Sequence, residues 1–293
     1  MRKLMLLLAV LLILLTGCSQ KEESAPIFIM TEYNQEFLKD GVVTGTDCYT
    51  YSYNEDGLAI YRERYQDGSF VSCTSWEYDN YGNPVSITAK ENDTIHISEY
   101  KNILDENGRI LQQELWVDGV RTTLRKITYN RQGDEITHNA TFWHTDGELD
   151  GRRSYTREYS WKGDLIKEVL ISDNGDQCIS DYQDGLCIRQ TTYEAETHAV
   201  TETWEYTYDH KDRCIRQVYC RQDGNLEWHD EYLYDDAAKT MIHTSYNADG
   251  TPRNYSDVFS YDEYGNQIMH ERYQDGEVYW RISYVYEMLE TAK

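Results

Sequence analysis

Apolar and polar residues alternate along most of the chain, in segments of roughly eight to ten residues. In one such segment Trp204, Tyr206 and Tyr208 alternate with Glu205 and Thr207. A period of two places the rings on one face of a β-strand and the polar side chains on the other. No comparable segment shows the period of an amphipathic helix. The pattern therefore predicts an all-β protein.

Tyrosine and glycine separate these segments at regular intervals. The motif Tyr-Asp/Asn-x-x-Gly recurs with several degenerate copies, and most copies are about 25 to 27 residues apart, a spacing typical of repeat proteins. The repeat anchors are Tyr53 with Gly57, Tyr78 with Gly82, Tyr129 with Gly133, Tyr261 with Gly265, and two copies without the glycine at Tyr208 and Tyr234. Midway between anchors lies an Asp-Gly turn, because glycine tolerates the positive φ of a tight hairpin. Two turns per period predict one β-hairpin per repeat.

Seven copies also carry an aromatic residue two positions before the anchor, and an aliphatic residue lies three positions after the glycine in several repeats. Tyr51 and Ile60 hold these places in the first repeat. Aromatic and β-branched residues stabilise sheets as cross-strand pairs, each by roughly 0.2–1 kcal/mol. We therefore expect these two residues to face each other across every hairpin.

The repeat resembles the YD repeat of the Rhs and Tc-toxin families, over about residues 49–286. In those families successive hairpins build a continuous curling sheet, and very long arrays close into a shell around a toxic cargo. The resemblance implies an all-β fold of antiparallel β-hairpin repeats in an extended, twisted or curled sheet, too small to enclose a protein. MORN repeats share the same turn chemistry. An open sheet has two free edges, so we expect dimers formed by edge pairing.

The N-terminal residues indicate export. Arg2 and Lys3 precede an apolar run over residues 4–15, which is shorter than the roughly 20 residues of a membrane-spanning helix. This run is typical of a signal peptide. The following Leu-Thr-Gly-Cys string ends at Cys18 and resembles the lipobox of bacterial lipoproteins. That resemblance implies cleavage before Cys18 and its acylation, which would anchor the protein on the extracytoplasmic side of the cell membrane. The alternative is an ordinary secretory peptide with a chance cysteine.

The sequence therefore divides into four segments. We expect a lipoprotein signal peptide over residues 1–17, a lipidated cysteine with a polar tether and an irregular lead-in over 18–45, the β-repeat domain over 46–287, and a short C-terminal tail over 288–293.

The chain is strongly acidic, with 28 Lys and Arg against 52 Asp and Glu and a formal net charge of −24. Nucleic-acid binding depends on clustered basic residues, so this charge argues against a nucleic-acid partner. Cations, basic proteins and uncharged glycans are compatible partners. The 27 Tyr and 7 Trp bury large areas on folding and so indicate a folded chain rather than a disordered one.

Six cysteines remain once Cys18 is assigned to lipid. Cys178 and Cys187 flank one predicted turn, so the sequence allows a disulfide between them across that hairpin. Free thiols are the alternative. No Cys-x-x-Cys pair is present, and we expect no zinc site.

Candidate chemistry is sparse. The repeated rings could form a sugar-stacking strip, and the alternative is that they are the core of a thin sheet. Acidic turns such as 146–150 and 173–176 could bind Ca²⁺, and the alternative is that they are solvated turns, because none has EF-hand spacing. The eight histidines follow no metalloprotease spacing, and no nucleophile elbow or phosphate loop is present. We expect neither catalysis nor a cofactor.

The sequence thus predicts a lipid-anchored cell-surface repeat protein that acts as a non-catalytic binding or structural module for a protein or glycan partner. Repeat arrays suit this role because they present extended surfaces. The alternatives are a purely structural envelope protein and an accessory or immunity-type partner of a secreted toxin system.

Overall fold

The computed structural model describes residues 27–289, which form a single antiparallel sheet of twenty strands. The strands are β1 (Ile27–Lys39), β2 (Val42–Tyr53), β3 (Ala59–Gln66), β4 (Ser69–Tyr78), β5 (Pro84–Glu91), β6 (Thr94–Leu104), β7 (Ile110–Val117), β8 (Val120–Tyr129), β9 (Glu135–Trp143), β10 (Leu149–Tyr159), β11 (Leu165–Ile171), β12 (Gln177–Gln183), β13 (Leu186–Tyr193), β14 (Val200–Tyr208), β15 (Cys214–Arg221), β16 (Leu226–Asp235), β17 (Thr240–Asn247), β18 (Pro252–Tyr261), β19 (Gln267–Gln274) and β20 (Glu277–Leu289). Within this range no helix is long and apolar enough to cross a membrane.

The sheet closes on itself. Every strand pairs with its neighbours in sequence, and β1 pairs with both β2 and β20. The predicted all-β, antiparallel architecture is confirmed, but the predicted extended sheet is wrong, because the described residues form a closed twenty-stranded barrel. The first and last strands satisfy each other's backbone groups. The described part of the chain therefore has no free edge, and the expected dimer by edge pairing loses its physical basis.

The strand that closes the sheet lies where the sequence predicted an irregular lead-in. Residues 27–45 form β1 and the beginning of β2. β1 carries no Tyr-Asp-x-x-Gly anchor, so a search for repeats does not find it. Its pairing with β2 and β20 supplies the backbone partners that make it a strand. Residues 1–26 and 290–293, including Cys18 and the signal peptide, lie outside the described residues.

The anchor motif builds a capped turn. In the second repeat the Asp79 carboxylate accepts hydrogen bonds from the N–H groups of Tyr81 and Asn83, each at 2.9 Å. The Gly82 N–H closes the turn onto the Asp79 carbonyl at 3.0 Å, and Gly82 has a φ of +79°. Aspartate after the tyrosine therefore satisfies the turn's amides, and glycine supplies the left-handed backbone.

At most anchor turns, the anchor tyrosine forms a hydrogen bond to the preceding strand. The Tyr78 hydroxyl donates to the Ala59 carbonyl at the start of β3, at 2.8 Å. The same hydroxyl-to-carbonyl bond is made by Tyr53, Tyr129, Tyr159, Tyr208 and Tyr234. The ring thus packs along one hairpin and its polar end satisfies a backbone acceptor.

After most anchor turns the aliphatic residue forms a β-bulge, which corrects the predicted cross-strand pairs; the hairpin of β16 and β17 has none. In the first repeat Tyr53 pairs with Ala59 and Ser52 pairs with Tyr61, so Ile60 between them has no partner. The equivalent unpaired residues are Val85, Leu111, Ile136, Ile166, Ile188, Ile215 and Ile268. A bulge bends and twists its strand. A bulge recurs next to the anchor turn in most hairpins. The bends therefore add up and curl the sheet until its first and last strands can pair.

The two faces of the sheet differ in burial. The register places nine of the eleven buried side chains on the face that also bears Tyr49, Trp204 and Trp280. Side chains on the concave side of a curved sheet converge and cover one another, so we call this the inner face. Each strand contacts only its two neighbours in the ring, and no second layer covers the inner face of the described residues.

The even number of strands places both ends of the described chain at one rim. Ile27 begins β1 and Leu289 ends β20, and the two residues pair with each other. The anchor turns lie at this terminal rim, and the Asp-Gly turns at 67–68, 118–119 and 275–276 lie at the opposite, distal rim.

Candidate functional site

A buried charged cluster lies on the inner face of β16 to β19, around Asp257, whose exposed fraction is 2%. Arg272 donates from Nε and Nη2 to the two carboxylate oxygens of Asp257, at 2.9 and 3.0 Å. His270 Nε2 is 3.0 Å from Oδ1, and His243 Nδ1 is 3.2 Å from Oδ2. One buried carboxylate thus has three nitrogen-bearing partners, as a buried charge requires.

His243 links Asp257 to a second buried carboxylate. Its Nε2 lies 3.2 Å from Asp230 Oδ1, which is within ion-pair distance but does not meet hydrogen-bond geometry. Ser245 also donates a hydrogen bond to Asp230. Burial alone would lower the pKa of His243, but the two carboxylates more than offset this and raise the pKa to about 9. Burial opposes ionisation of Asp257, and its three partners outweigh burial and lower its pKa well below the usual range.

This cluster predicts a pH-dependent stability. Because the pKa of His243 rises from about 6.5 to about 9 on folding, its contribution is complete below pH 6.5 and is lost as the pH rises through 9. The expected loss in the free energy of unfolding between pH 6 and pH 9.5 is at most about 3 kcal/mol, because the side chain keeps some contact with water, which screens the pair. Denaturant titrations at both pH values measure it. The same titrations of His243→Gln are the control, and an equal loss in that variant contradicts the assignment.

The register brings these residues together. Asp230 pairs with Ser245, His243 pairs with Asp257, and Asp257 pairs with Arg272. In sequence they occupy the same alternating positions as the rings. In the sequence, Asp, His and Arg interrupt the ring positions in neighbouring strands. That interruption could have indicated the cluster, but the cluster was not among the predicted sites.

Aromatic rings form a second group on the inner face, toward the distal rim. Trp204, Tyr219 and Trp228 come from three successive strands, β14 to β16, with ring centroids 4.8 to 5.5 Å apart. The Arg253 guanidinium lies 5.2 Å from the Trp228 ring centre. The three rings are only partly buried. They therefore pack against each other and still offer ring surface to a ligand.

A third ring cluster spans the closure of the sheet. Tyr33 on β1 contacts Tyr49 on β2 and Tyr284 on β20, both edge-to-face, at centroid distances of 5.5 and 5.6 Å. Burial raises the pKa of Tyr33, with smaller contributions from Tyr284 and Tyr49, because the neutral phenol is favoured there. This cluster joins the two ends of the repeat array.

The inner face is nearly balanced in charge. By register and alternation its basic residues are Lys39, Arg62, Arg64, Arg125, Arg153, Arg157, Arg221, Arg253 and Arg272. Its acidic residues are Asp47, Glu91, Glu135, Glu168, Glu202, Asp230, Asp257 and Glu277. The large negative charge of the protein therefore belongs to the outer face and the turns.

The cysteines proposed for a disulfide are not brought together. Cys178 pairs with Thr192, whereas Cys187 pairs with Tyr182, four residues further along β12. That offset is roughly 13 Å along the strand, and a disulfide needs directly opposed residues. Both thiols are free. The repeat anchors lie together at the terminal rim, away from the buried charged cluster.

The carboxylates of the acidic turns accept hydrogen bonds from backbone N–H groups. Asp146 accepts from the Glu148 N–H at 2.9 Å, and Asp173 accepts from the Arg152 N–H at 3.0 Å. Among residues 27–289, no group of three His, Cys, Asp or Glu side chains is arranged to hold a metal ion.

Comparisons with known proteins assign no family. No protein-family model matches the chain, and no curated protein matches it. Among solved structures, the Photorhabdus luminescens Tc holotoxin pore is similar over 82% of this chain and 16% of that chain, with 11% identity and a TM-score of 0.33. A porin-like protein from Bacteroides uniformis is similar over 88% and 98%, with 12% identity and a TM-score of 0.36.

This chain spans about a sixth of the length of the toxin chain. A second porin-like protein, from Bacteroides vulgatus, is similar over 89% of this chain and 99% of that chain, with 10% identity and a TM-score of 0.30. All three TM-scores are below 0.5. The YD-repeat family and the lipoprotein leader therefore stay predictions.

Proposed function

We propose that this protein is an exported, lipid-anchored envelope protein that acts as a non-catalytic binding module, and that its inner face binds an uncharged glycan. The observation that carries the proposal is the cluster of Trp204, Tyr219 and Trp228, whose partly exposed rings lie on an inner face without a covering layer. Flat rings stack on the apolar faces of sugars, and neighbouring polar groups bind the hydroxyls.

The charge distribution supports an uncharged ligand. On the inner face, Arg157 pairs with Glu135 and Glu168, and Arg64 pairs with Asp47. Such pairs have donors and acceptors for hydroxyl groups but little net field for an ion. A cationic partner would bind the acidic outer face and turns instead. A cationic ligand and an uncharged ligand are therefore expected to bind at different places on the protein.

The test is calorimetric titration with neutral hexasaccharides of glucose and of N-acetylglucosamine. We expect binding that weakens at least about tenfold in Trp204→Ala and in Trp228→Ala, because central aromatic residues often contribute more than 1.4 kcal/mol to an interface. The control is Trp116→Ala, since Trp116 pairs with Arg121 and Glu99 on the outer face. The glycan should be recovered intact.

Other outcomes identify the alternatives. Binding of hexa-arginine without binding of either neutral hexasaccharide would assign ligand recognition to the acidic outer face and contradict the proposed site. Binding of neither the hexasaccharides nor hexa-arginine would favour the purely structural role.

A further inference from the structure

The terminal rim carries apolar side chains that the proposed glycan site does not use. Trp161, in the turn between β10 and β11, has an exposed fraction of 91%. Tyr81 and Tyr264, in two other turns of the same rim, are 64% and 59% exposed. An exposed tryptophan leaves a large apolar area in water, and several exposed aromatic residues on one rim together form a candidate contact surface.

Further apolar residues surround this rim. Five hairpins each have a partly exposed bulge residue next to the turn of the terminal rim. These residues are Ile60, Leu111, Ile166, Ile188 and Ile268. Ile27 and Met288, at the two ends of the described chain, are also exposed. The apolar residues are therefore distributed around the rim rather than gathered in one groove, which fits an extended flat partner better than a peptide.

The position of the chain's N-terminal segment indicates which partner. Eight residues, 19–26, separate Cys18 from the first residue of β1. The nine residue steps from Cys18 to Ile27 reach at most about 32 Å when fully extended. A lipid on Cys18 would therefore keep the terminal rim within that distance of a bilayer, while the distal rim is a further strand length away.

We propose that the terminal rim docks onto the lipid–water interface through Trp161, Tyr81 and Tyr264, so that the barrel stands on the membrane with its distal rim outward. This inference rests on the lipid anchor of the proposed function. Tryptophan and tyrosine favour the interface because their rings are apolar and their polar atoms remain hydrated. Lys162, beside Trp161, lies 5.5 Å from its ring centre and can extend toward lipid phosphates.

The rim's own charges set the preferred lipid. Its turns carry the exposed carboxylates Glu55, Asp56, Glu106 and Glu263, which repel an anionic surface. Docking should therefore be stronger on phosphatidylcholine than on phosphatidylglycerol vesicles, and added salt should reduce the difference.

The test uses the full lipidated protein in phosphatidylcholine vesicles that contain lipids brominated near the headgroup, which quench tryptophan on contact. We expect quenching in the natural protein and its loss in Trp161→Ala. The matched control adds Phe70→Trp to Trp161→Ala, because Phe70 is 50% exposed near the distal rim. Quenching of that relocated tryptophan, or no quenching of Trp161, overturns the proposal.

Failure of the anchor and failure of the docking are distinguishable. Mass spectrometry of the membrane-extracted protein reports the acyl group on Cys18 independently of quenching. If Cys18 is not acylated, the mature chain is added to phosphatidylcholine vesicles from solution: quenching of Trp161 still supports docking, and its absence refutes it. Sedimentation of a dimer that Trp161→Ala dissociates would assign the rim to a second copy and also refute it.

Discussion

Asp257→Ala is expected to lower the free energy of unfolding by about 3–5 kcal/mol. The substitution removes the carboxylate that pairs with Arg272, His270 and His243. Arg272 and His270 are then left partly buried without this counter-charge, and His243 keeps only Asp230. Breaking a buried pair from one side costs more than the pair itself contributes, because the remaining charge loses both its partner and its water. Chemical denaturation at pH 6 measures the effect.

An exposed ion pair is the control for this substitution. Arg189 and Glu205 are 3.8 Å apart, and both side chains are more than half exposed. Glu205→Ala should therefore cost less than about 1 kcal/mol. A similarly small cost for Asp257→Ala would show that water reaches the cluster. Burial of Asp257 would then not determine how much its ion pairs stabilise the protein.

Gln35→Pro is expected to open the sheet at its closure. Gln35 lies in the middle of β1 and pairs with Asp47 on β2 and with Ile282 on β20. Proline removes a backbone N–H from an interior strand and introduces a ring beside the ladder, at an expected cost of about 2–4 kcal/mol. Two edges then become free, so the variant should also associate by edge pairing. Denaturation and sedimentation velocity measure the two effects.

Gln35→Ala separates the side chain from the backbone in this experiment. It keeps the N–H and removes the contact between the Tyr33 hydroxyl and the Gln35 side chain, 3.1 Å apart. We expect a cost of about 1 kcal/mol and no association. If Gln35→Pro and Gln35→Ala lower the free energy of unfolding equally and both variants are monomeric, the pairing of β1 does not keep the sheet closed.

Most of the local structure could be predicted because its causes are local. The period of two around Trp204 and Tyr206 specifies a strand with one aromatic face, and the strand is present over Val200–Tyr208. The Tyr-Asp-x-x-Gly string specifies its turn through the Asp79 carboxylate and the positive φ of Gly82. These interactions lie within five residues of each other, so the chemistry of the string suffices.

The candidate site was harder to predict, because it depends on register. Asp257 and Arg272 are fifteen residues apart and meet only because the turn between them places them opposite each other. A shift of one residue would move the charge to the other face. The bulge at Ile268, in the same hairpin, changes that register by one residue. The alternation of apolar and polar residues does not predict where a bulge occurs. The cross-strand pairs predicted for the aliphatic residues were wrong for this reason.

By itself the sequence determined an all-β chain of antiparallel hairpins, with tyrosine-anchored turns on one side and Asp-Gly turns on the other. Only the tertiary structure decided that β1 joins β20, that the rings and the Asp257 cluster share the concave face, and that both chain ends meet at one rim. The physical reason is distance along the chain. A turn is specified by neighbours, whereas closure depends on the accumulated bend of nineteen hairpin connections and on a pairing between Ile27 and Leu289.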